Sequence, residues 1–129
     1  VGVGNLGRAI LQFFQGRRPK LQIVAGFDKD PDRSDRVIQG VRCYGVDQLE
    51  QIIQRDGIRV GIIAVPAADA QNVADRLARS GVRGMLNFAP VPLRGAPGTY
   101  VENVDMTTSL EKVAYFARTA EADREVGTK

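Results

Sequence analysis

The stretch GVGNLGRAILQFFQG, residues 2–16, carries Gly2, Gly4 and Gly7 at the spacing G-x-G-x-x-G and then turns helical. It reads either as a glycine-rich turn or as a phosphate cradle. In a cradle, Gly2 permits a tight turn out of a strand, Gly4 lets backbone N–H groups approach a diphosphate, and Gly7 lets helix and strand pack closely. The phosphates would sit at the helix N-terminus, where unpaired N–H groups and the macrodipole favour negative charge. The first helical residues, Asn5 and Leu6, belong to the same cradle. The triplet alone is weak evidence, since 14 of 129 residues are glycine, and the surrounding chain has to decide.

Working outward, apolar, strand-length runs alternate with helical patterns. LQIVAGFD (residues 21–28), RVGIIAVP (59–66), RGMLNFAP (83–90) and GTYVENVD (98–105) read as strands, with a short candidate at residues 41–44. Leu6, Ile10, Phe13 and Phe14 share one face of the first helix. Leu49, Ile52 and Ile53 share a face of the second, for which Asp47 is the expected N-cap. Val73, Leu77 and Ala78 share a face of the third, which ends at Ser80-Gly81. Near-continuous apolar strands between amphipathic helices predict an α/β, Rossmann-like doubly wound, mostly parallel sheet covered on both faces. A turn of this kind needs a full strand before it, central in the sheet, yet only Val1 precedes Gly2. Omitting such a strand would unpair backbone groups at about 1–3 kcal/mol each. The sequence is therefore read as a fragment of a longer chain.

Composition narrows the function classes. The apolar and charged fractions, 43% and 26%, are those of an ordinary globular domain. No run of about 18 apolar residues suggests a membrane span, and no secretory signal is visible. Cys43 has no cysteine partner, which suits a reducing cytoplasm. Net charge is +3, but acids are interspersed, and the tight basic cluster is Arg17, Arg18 and Lys20. That cluster reads as a solvated loop, or else as a phosphate or DNA contact. Histidine is absent, which removes the commonest general acid–base group and metal ligand, so no metal site and no catalytic residue are expected.

The candidate site follows from the fold. Asp28 ends the next strand, 21 residues after Gly7, where an acid accepts hydrogen bonds from ribose hydroxyls. A carboxylate there repels a 2′-phosphate and favours NAD(H) over NADP(H), a preference that neighbouring Lys29 and Arg33 moderate. Asp30 forms either part of this site or a capped turn before Pro31. Ligands of such sheets bind outside the carboxyl ends of the strands, so Val65, Pro66 and Ala67 should line the cleft near adenosine and diphosphate. Asn87, Phe88 and Ala89 should lie nearer the nicotinamide, unless Asn87 caps its own loop. Cys43 reads as a core residue, with a redox thiol as the other possibility.

The segments GVGNLGRAI, FDKDP, GIIAVPAADAQNVADRL, GVRGMLNFAPVPL and VENVDMTTSLEKVAYF together resemble the redox-sensing repressors of the Rex family, over their C-terminal NAD(H)-binding domain. The resemblance runs from Val1 to about Phe116, and LNFAPV with VENVD is its specific part. It implies a homodimeric NADH/NAD⁺ sensor without catalysis. It also implies operator DNA bound only through an N-terminal winged-helix domain lying outside this chain. By position the glycines and Asp28 would hold the dinucleotide, with Asp105 and Met106 at the nicotinamide end. Some relatives carry an aromatic residue where Met106 stands. The implied organisation is a dinucleotide-binding domain over residues 1–105, a dimerisation helix exchanged between subunits over 106–120, and a charged tail over 121–129. Residues add their own support for the helix, because Leu110, Val113, Ala114 and Ala117 form one face while Tyr115 points the other way. The competing reading is a CoA- or NAD-binding fragment of an enzyme, an acyl-CoA ligase or a dehydrogenase.

Overall fold

Backbone pairing sorts the alternating pattern into strands and helices in a computed structural model that describes residues 1–15 and 21–127, with backbone only for 125–127. The basic cluster Arg17, Arg18 and Lys20 lies outside the described residues. The elements run α1 (Asn5–Phe14), β1 (Gly26–Asp28), β2 (Arg36–Ile38), β3 (Val41–Gly45), α2 (Leu49–Asp56), β4 (Val60–Ile63), α3 (Ala67–Arg79), β5 (Gly84–Asn87), β6 (Tyr100–Asn103) and α4 (Met106–Gly127). Strands pair in the orders β1-β3-β2 and β4-β5-β6, all parallel except β2 against β3.

Residues 1–3 join the two groups. The Gly2 N–H donates to Phe27 O at 2.7 Å on one side, and Ala64 N–H donates to Val1 O at 2.8 Å on the other. The Val1 nitrogen donates to Ile62 O at 2.5 Å. The glycine turn thus emerges between β1 and β4, where the strand order reverses.

Two apolar clusters flank this sheet. Phe27, Leu49, Ile52, Ile53, Ile63, Val73 and Leu77 form the larger, and Val3, Leu11, Ile38 and Cys43 the smaller. Neighbours on one strand divide between them: Cys43 belongs to the smaller cluster, and Tyr44 packs on the larger. Since successive strand residues point to opposite faces, the clusters lie on opposite sides, α1 on one and α2 with α3 on the other.

Several expectations need correction. The strands are shorter than their apolar runs, most of all the run over 21–28, of which only Gly26–Asp28 pairs, with Cys43–Gly45. Apolar pattern reports burial, whereas a strand ends where its hydrogen-bonded neighbour ends. The inward face of α1 is Gly7, Ile10 and Leu11. Leu6 and Phe13, expected there, are 38% and 58% exposed, because Gly7 must face the turn and so fixes the helix's rotation. Asp47 does not cap α2; it sits inside a 3₁₀ turn, Val46–Gln48, and the helix starts after it, with Gln48 at the cap position. Of the α3 face, Val73 and Leu77 are buried beside Ala70 and Ala74, while Ala78 is half-buried.

Strand β2 was not anticipated. Ile38 pairs with Val41 across Gln39-Gly40, whose φ values are 51° and 77°. Two left-handed residues make the tight hairpin turn whose twist matches its strands. Cys43 is fully buried and free, and burial pushes its thiol pKa up, which is the core reading. Helix α4 runs on to Gly127, through much of the stretch expected as a tail.

Candidate functional site

The three glycines of the opening turn differ in what their missing side chains avoid. At Gly2, φ is +93° and a Cβ would lie 2.5 Å from Ala64 O. At Gly7, a Cβ would strike Gly2 O. These two glycines close the turn. Gly4 is different, because a Cβ there meets nothing nearer than Arg33 Nη1 at 3.4 Å. The protein's own packing does not require glycine at position 4.

Gly4 is the N-cap of α1, makes no side-chain cap bond, and no acid occupies the first turn. The first N–H groups of the helix, at exposed Asn5 and Leu6 and inward-facing Gly7, are thus free of carboxylate competition. Such a terminus attracts phosphate.

Asp28, at the end of β1, is 6% exposed. Its Oδ2 accepts from Val3 N–H and its Oδ1 from Asp30 N–H, both at 2.8 Å. The acid therefore pins the glycine turn to β1, and each oxygen keeps a further lone pair for a hydroxyl donor. Lys29 Nζ lies 3.1 Å from Asp69 Oδ2, in the first turn of α3. Asp30 caps the 3₁₀ turn Pro31–Arg33, accepting from Asp32 N–H at 2.9 Å, which is the capped-turn reading.

On the other side of the turn, Val65 Cγ1 comes within 3.1 Å of the Cβ position of Gly2, and Pro66 and exposed Ala67 open α3. Asn87 ends β5 only 1% exposed. Its amide nitrogen donates to Val91 O at 2.8 Å and Asn103 Oδ1 at 2.9 Å, and its oxygen accepts from Ala89 N–H at 2.9 Å. Both donors are used inside the protein, so Asn87 holds the loop that carries Phe88 and Ala89. Asn103 also accepts from Leu93 N–H at 3.0 Å. Sequence reading missed Asn103; its signal is its position directly beside Asn87 on the neighbouring strand.

Asp105 caps α4, accepting from Thr108 N–H at 2.9 Å and from its hydroxyl at 2.8 Å. Those bonds, the backbone one foremost, hold its carboxyl below the ordinary carboxylate range. Met106 follows, 56% exposed. Asp28, the glycine turn, 65–67, 87–89 and 105–106 thus all follow the carboxyl ends of neighbouring parallel strands, in that order along one sheet edge. Asn87 also reaches along that edge, its carbonyl accepting from Val104 N–H at 2.8 Å. Among the described residues no group of His, Cys, Asp and Glu converges as a metal site.

A glycine turn opening a helix, an acid at the end of the adjacent strand, and a row of strand-end loops define a nucleotide-binding α/β domain. The chain belongs to the CoA binding domain family, which matches residues 1–91. Curated relatives are redox-sensing transcriptional repressors Rex, and they bear out the resemblance read from the residues. The one from Natranaerobius thermophilus is 38% identical over 118 residues, covering 92% of this chain and 54% of the relative. That from Streptococcus equi subsp. equi is 40% identical over 118 residues, covering 90% and 55%. The chain thus spans about half the length of these relatives.

Solved structures agree. RSP, a Rex-family repressor, superposes with TM-score 0.86 at 32% identity over 97% of this chain and 60% of that one. RSP in complex with beta-NAD⁺ and operator DNA gives 0.85 at 31%, over 99% and 59%. RSP in complex with beta-NADH gives 0.85 at 32%, over 97% and 60%.

Proposed function

We propose that this chain is the NADH/NAD⁺-sensing domain of a redox-responsive transcriptional repressor, binding the dinucleotide without transforming it. The observation that carries the reading is Gly4, a glycine the protein's own packing does not need, at an uncapped helix N-terminus beside Asp28. The diphosphate lies against Gly4, Asn5 and Leu6, the adenosine ribose at Asp28, and Val65 to Ala67 line the middle of the cleft. The loop held by Asn87 and the Asp105–Met106 corner face the nicotinamide. The RSP complexes with beta-NAD⁺ and beta-NADH support this assignment. Operator binding belongs to a domain outside this chain, and the same reading makes the protein cytoplasmic.

Calorimetric titration with NADH, NAD⁺ and CoA tests it. NADH should bind more tightly than CoA, since Asp28 opposes the 3′-phosphate that CoA carries on its ribose. Gly4→Ala should weaken NADH by about tenfold or more, roughly 1.4 kcal/mol, with the melting temperature little changed. Tighter CoA than NADH binding overturns the sensor reading, and an unaltered affinity in Gly4→Ala moves the phosphates elsewhere.

The assembly is part of the proposal. Every described side chain of α4 is exposed, including Leu110 at 70%, Val113 at 64%, Tyr115 at 61% and Phe116 at 60%. A 22-residue helix with apolar groups on two sides, none of them covered by the described residues, is built to insert into a second copy. Burying Leu110, Val113 and Phe116 there contributes about 1.5–3 kcal/mol each. Truncation after Asp105 should yield monomers with weakened NADH binding, because the helix walls the nicotinamide end. Sedimentation of the truncated and full chains decides this; a truncated chain that stays dimeric and binds NADH normally rules it out.

A further inference from the structure

Strands β5 and β6 pair in parallel, so the chain crosses over between them, a connection usually made through a helix. Here residues 88–99 hold no helix or strand. Without a helical ladder, the backbone groups of that crossover need partners elsewhere. Three side-chain amides supply them. Asn87 takes Ala89 N–H and Val91 O, Asn103 takes Leu93 N–H, and Gln71 takes both backbone groups of Arg94.

Gln71 is half-buried on α3. Its Oε1 accepts from Arg94 N–H at 3.1 Å and its Nε2 donates to Arg94 O at 3.2 Å, a pair of bonds like one rung between strands. Nε2 also donates to Asp75 Oδ1 at 3.0 Å, one turn along the helix. A carboxylate accepts and does not donate. Asp75 therefore holds the amide nitrogen and leaves Oε1 for Arg94 N–H.

Asn87 and Asn103 end the two strands that the loop joins, so they fix the loop only to its own strands. Gln71 comes from another wall of the cleft. It stands one helical turn after Ala67 and on the same face of α3. It thus ties the middle of the cleft, Val65 to Ala67, to the loop that carries Phe88 and Ala89. Leu93, next to the tie, is buried in the larger cluster and anchors the same point from inside.

We propose that Gln71 is a positioning residue for the nicotinamide half of the site. By clasping Arg94 to α3 it sets the crossover loop at a fixed distance from the middle of the cleft before the dinucleotide arrives. A wall ordered in advance spares the ligand the cost of ordering it on binding. The bonds at Asp28 run to Val3 and Asp30 and are independent of the clasp, so the adenosine half does not feel it. The inference rests on the dinucleotide reading of the site given above.

Calorimetric titration of the chain and its Gln71→Met variant tests it, with NADH and with ADP-ribose, which carries the adenosine and diphosphate but no nicotinamide. Gln71→Met should weaken NADH by about fivefold or more and ADP-ribose by less than about twofold, since only the nicotinamide meets the loosened loop. Gln71→Glu should show the same split. Its carboxylate keeps the bond from Arg94 N–H but faces Arg94 O and Asp75 with no donor to offer, and it decides the matter should the methionine variant not fold. Equal weakening of the two ligands overturns the inference, because Gln71 would then support the domain as a whole. Unchanged NADH binding overturns it as well. An unaltered chain that binds neither ligand, or NADH alone, overturns instead the underlying assignment of the glycine turn and Asp28.

Discussion

Gly7→Ala should lower the melting temperature by roughly 10 °C or more, the loss of about 3 kcal/mol in a chain of this size. The new Cβ would strike Gly2 O and stand 2.9 Å from Gly2 C. Gly2 cannot retreat. Its N–H is bonded to Phe27 O at 2.7 Å, and its own α-carbon faces Ala64 O so closely that a Cβ there would stand at 2.5 Å. The obstacle is backbone held by two strands, not the end of a flexible side chain. Relief requires α1 to lift, which uncovers Leu11 from Val3, Ile38 and Cys43. Thermal melts followed by circular dichroism measure this, with Gly4→Ala as the paired control. Equal melting temperatures for the two variants would show that the three glycines are not divided between fold and ligand as described.

Asn87→Ala should destabilise the domain by about 3–5 kcal/mol, since each buried group left unbonded costs about 1–3 kcal/mol. The substitution removes the partners of Ala89 N–H and Val91 O and one of the donors to Asn103 Oδ1. Ala89 is itself 5% exposed, so water does not readily replace the lost acceptor. Asn87→Asp should be at least as damaging near pH 7. A carboxylate would face the Val91 carbonyl and the Asn103 side-chain oxygen, two acceptors with no donor between them. Lowering the pH protonates that carboxyl and restores one donor, so part of the stability should return in acid. Urea denaturation of both variants checks the prediction, and a loss under about 1 kcal/mol in Asn87→Ala would show that the loop is fixed by other contacts.

Local pattern was enough wherever one element's chemistry specifies its own geometry. The inward faces of α2 and much of α3, the end of α3 at Ser80, the Asp30 turn and the burial of Cys43 were all legible, because each depends on residues close in sequence or on plain hydrophobicity. Pattern failed where a partner from elsewhere in the chain decides. The Gln39-Gly40 hairpin lacks the usual Asn-Gly signature, and its left-handed Gln39 is stabilised by the pairing of Arg36–Ile38 with residues 41–43. Phe13 matched the helical spacing of a core residue, yet lies outside because Gly7 sets the rotation of α1.

The sequence by itself determined the α/β class, the glycine turn with its helix, and an acid at the end of the following strand. These follow from period, spacing and residue type, which survive without knowledge of contacts. Only the tertiary structure decided what the individual residues do. It divided Gly2 and Gly7 from Gly4, because a Cβ's obstacle is visible only when distant backbone is in place. It bonded one oxygen of Asp28 to the glycine turn and the other to the Asp30 backbone. It turned Asn87 inward to Asn103 and left the apolar groups of α4 bare. A side chain's hydrogen-bonding capacity is written in its type. Whether that capacity is consumed by the protein or offered to a ligand depends on which groups folding brings within about 3 Å of it.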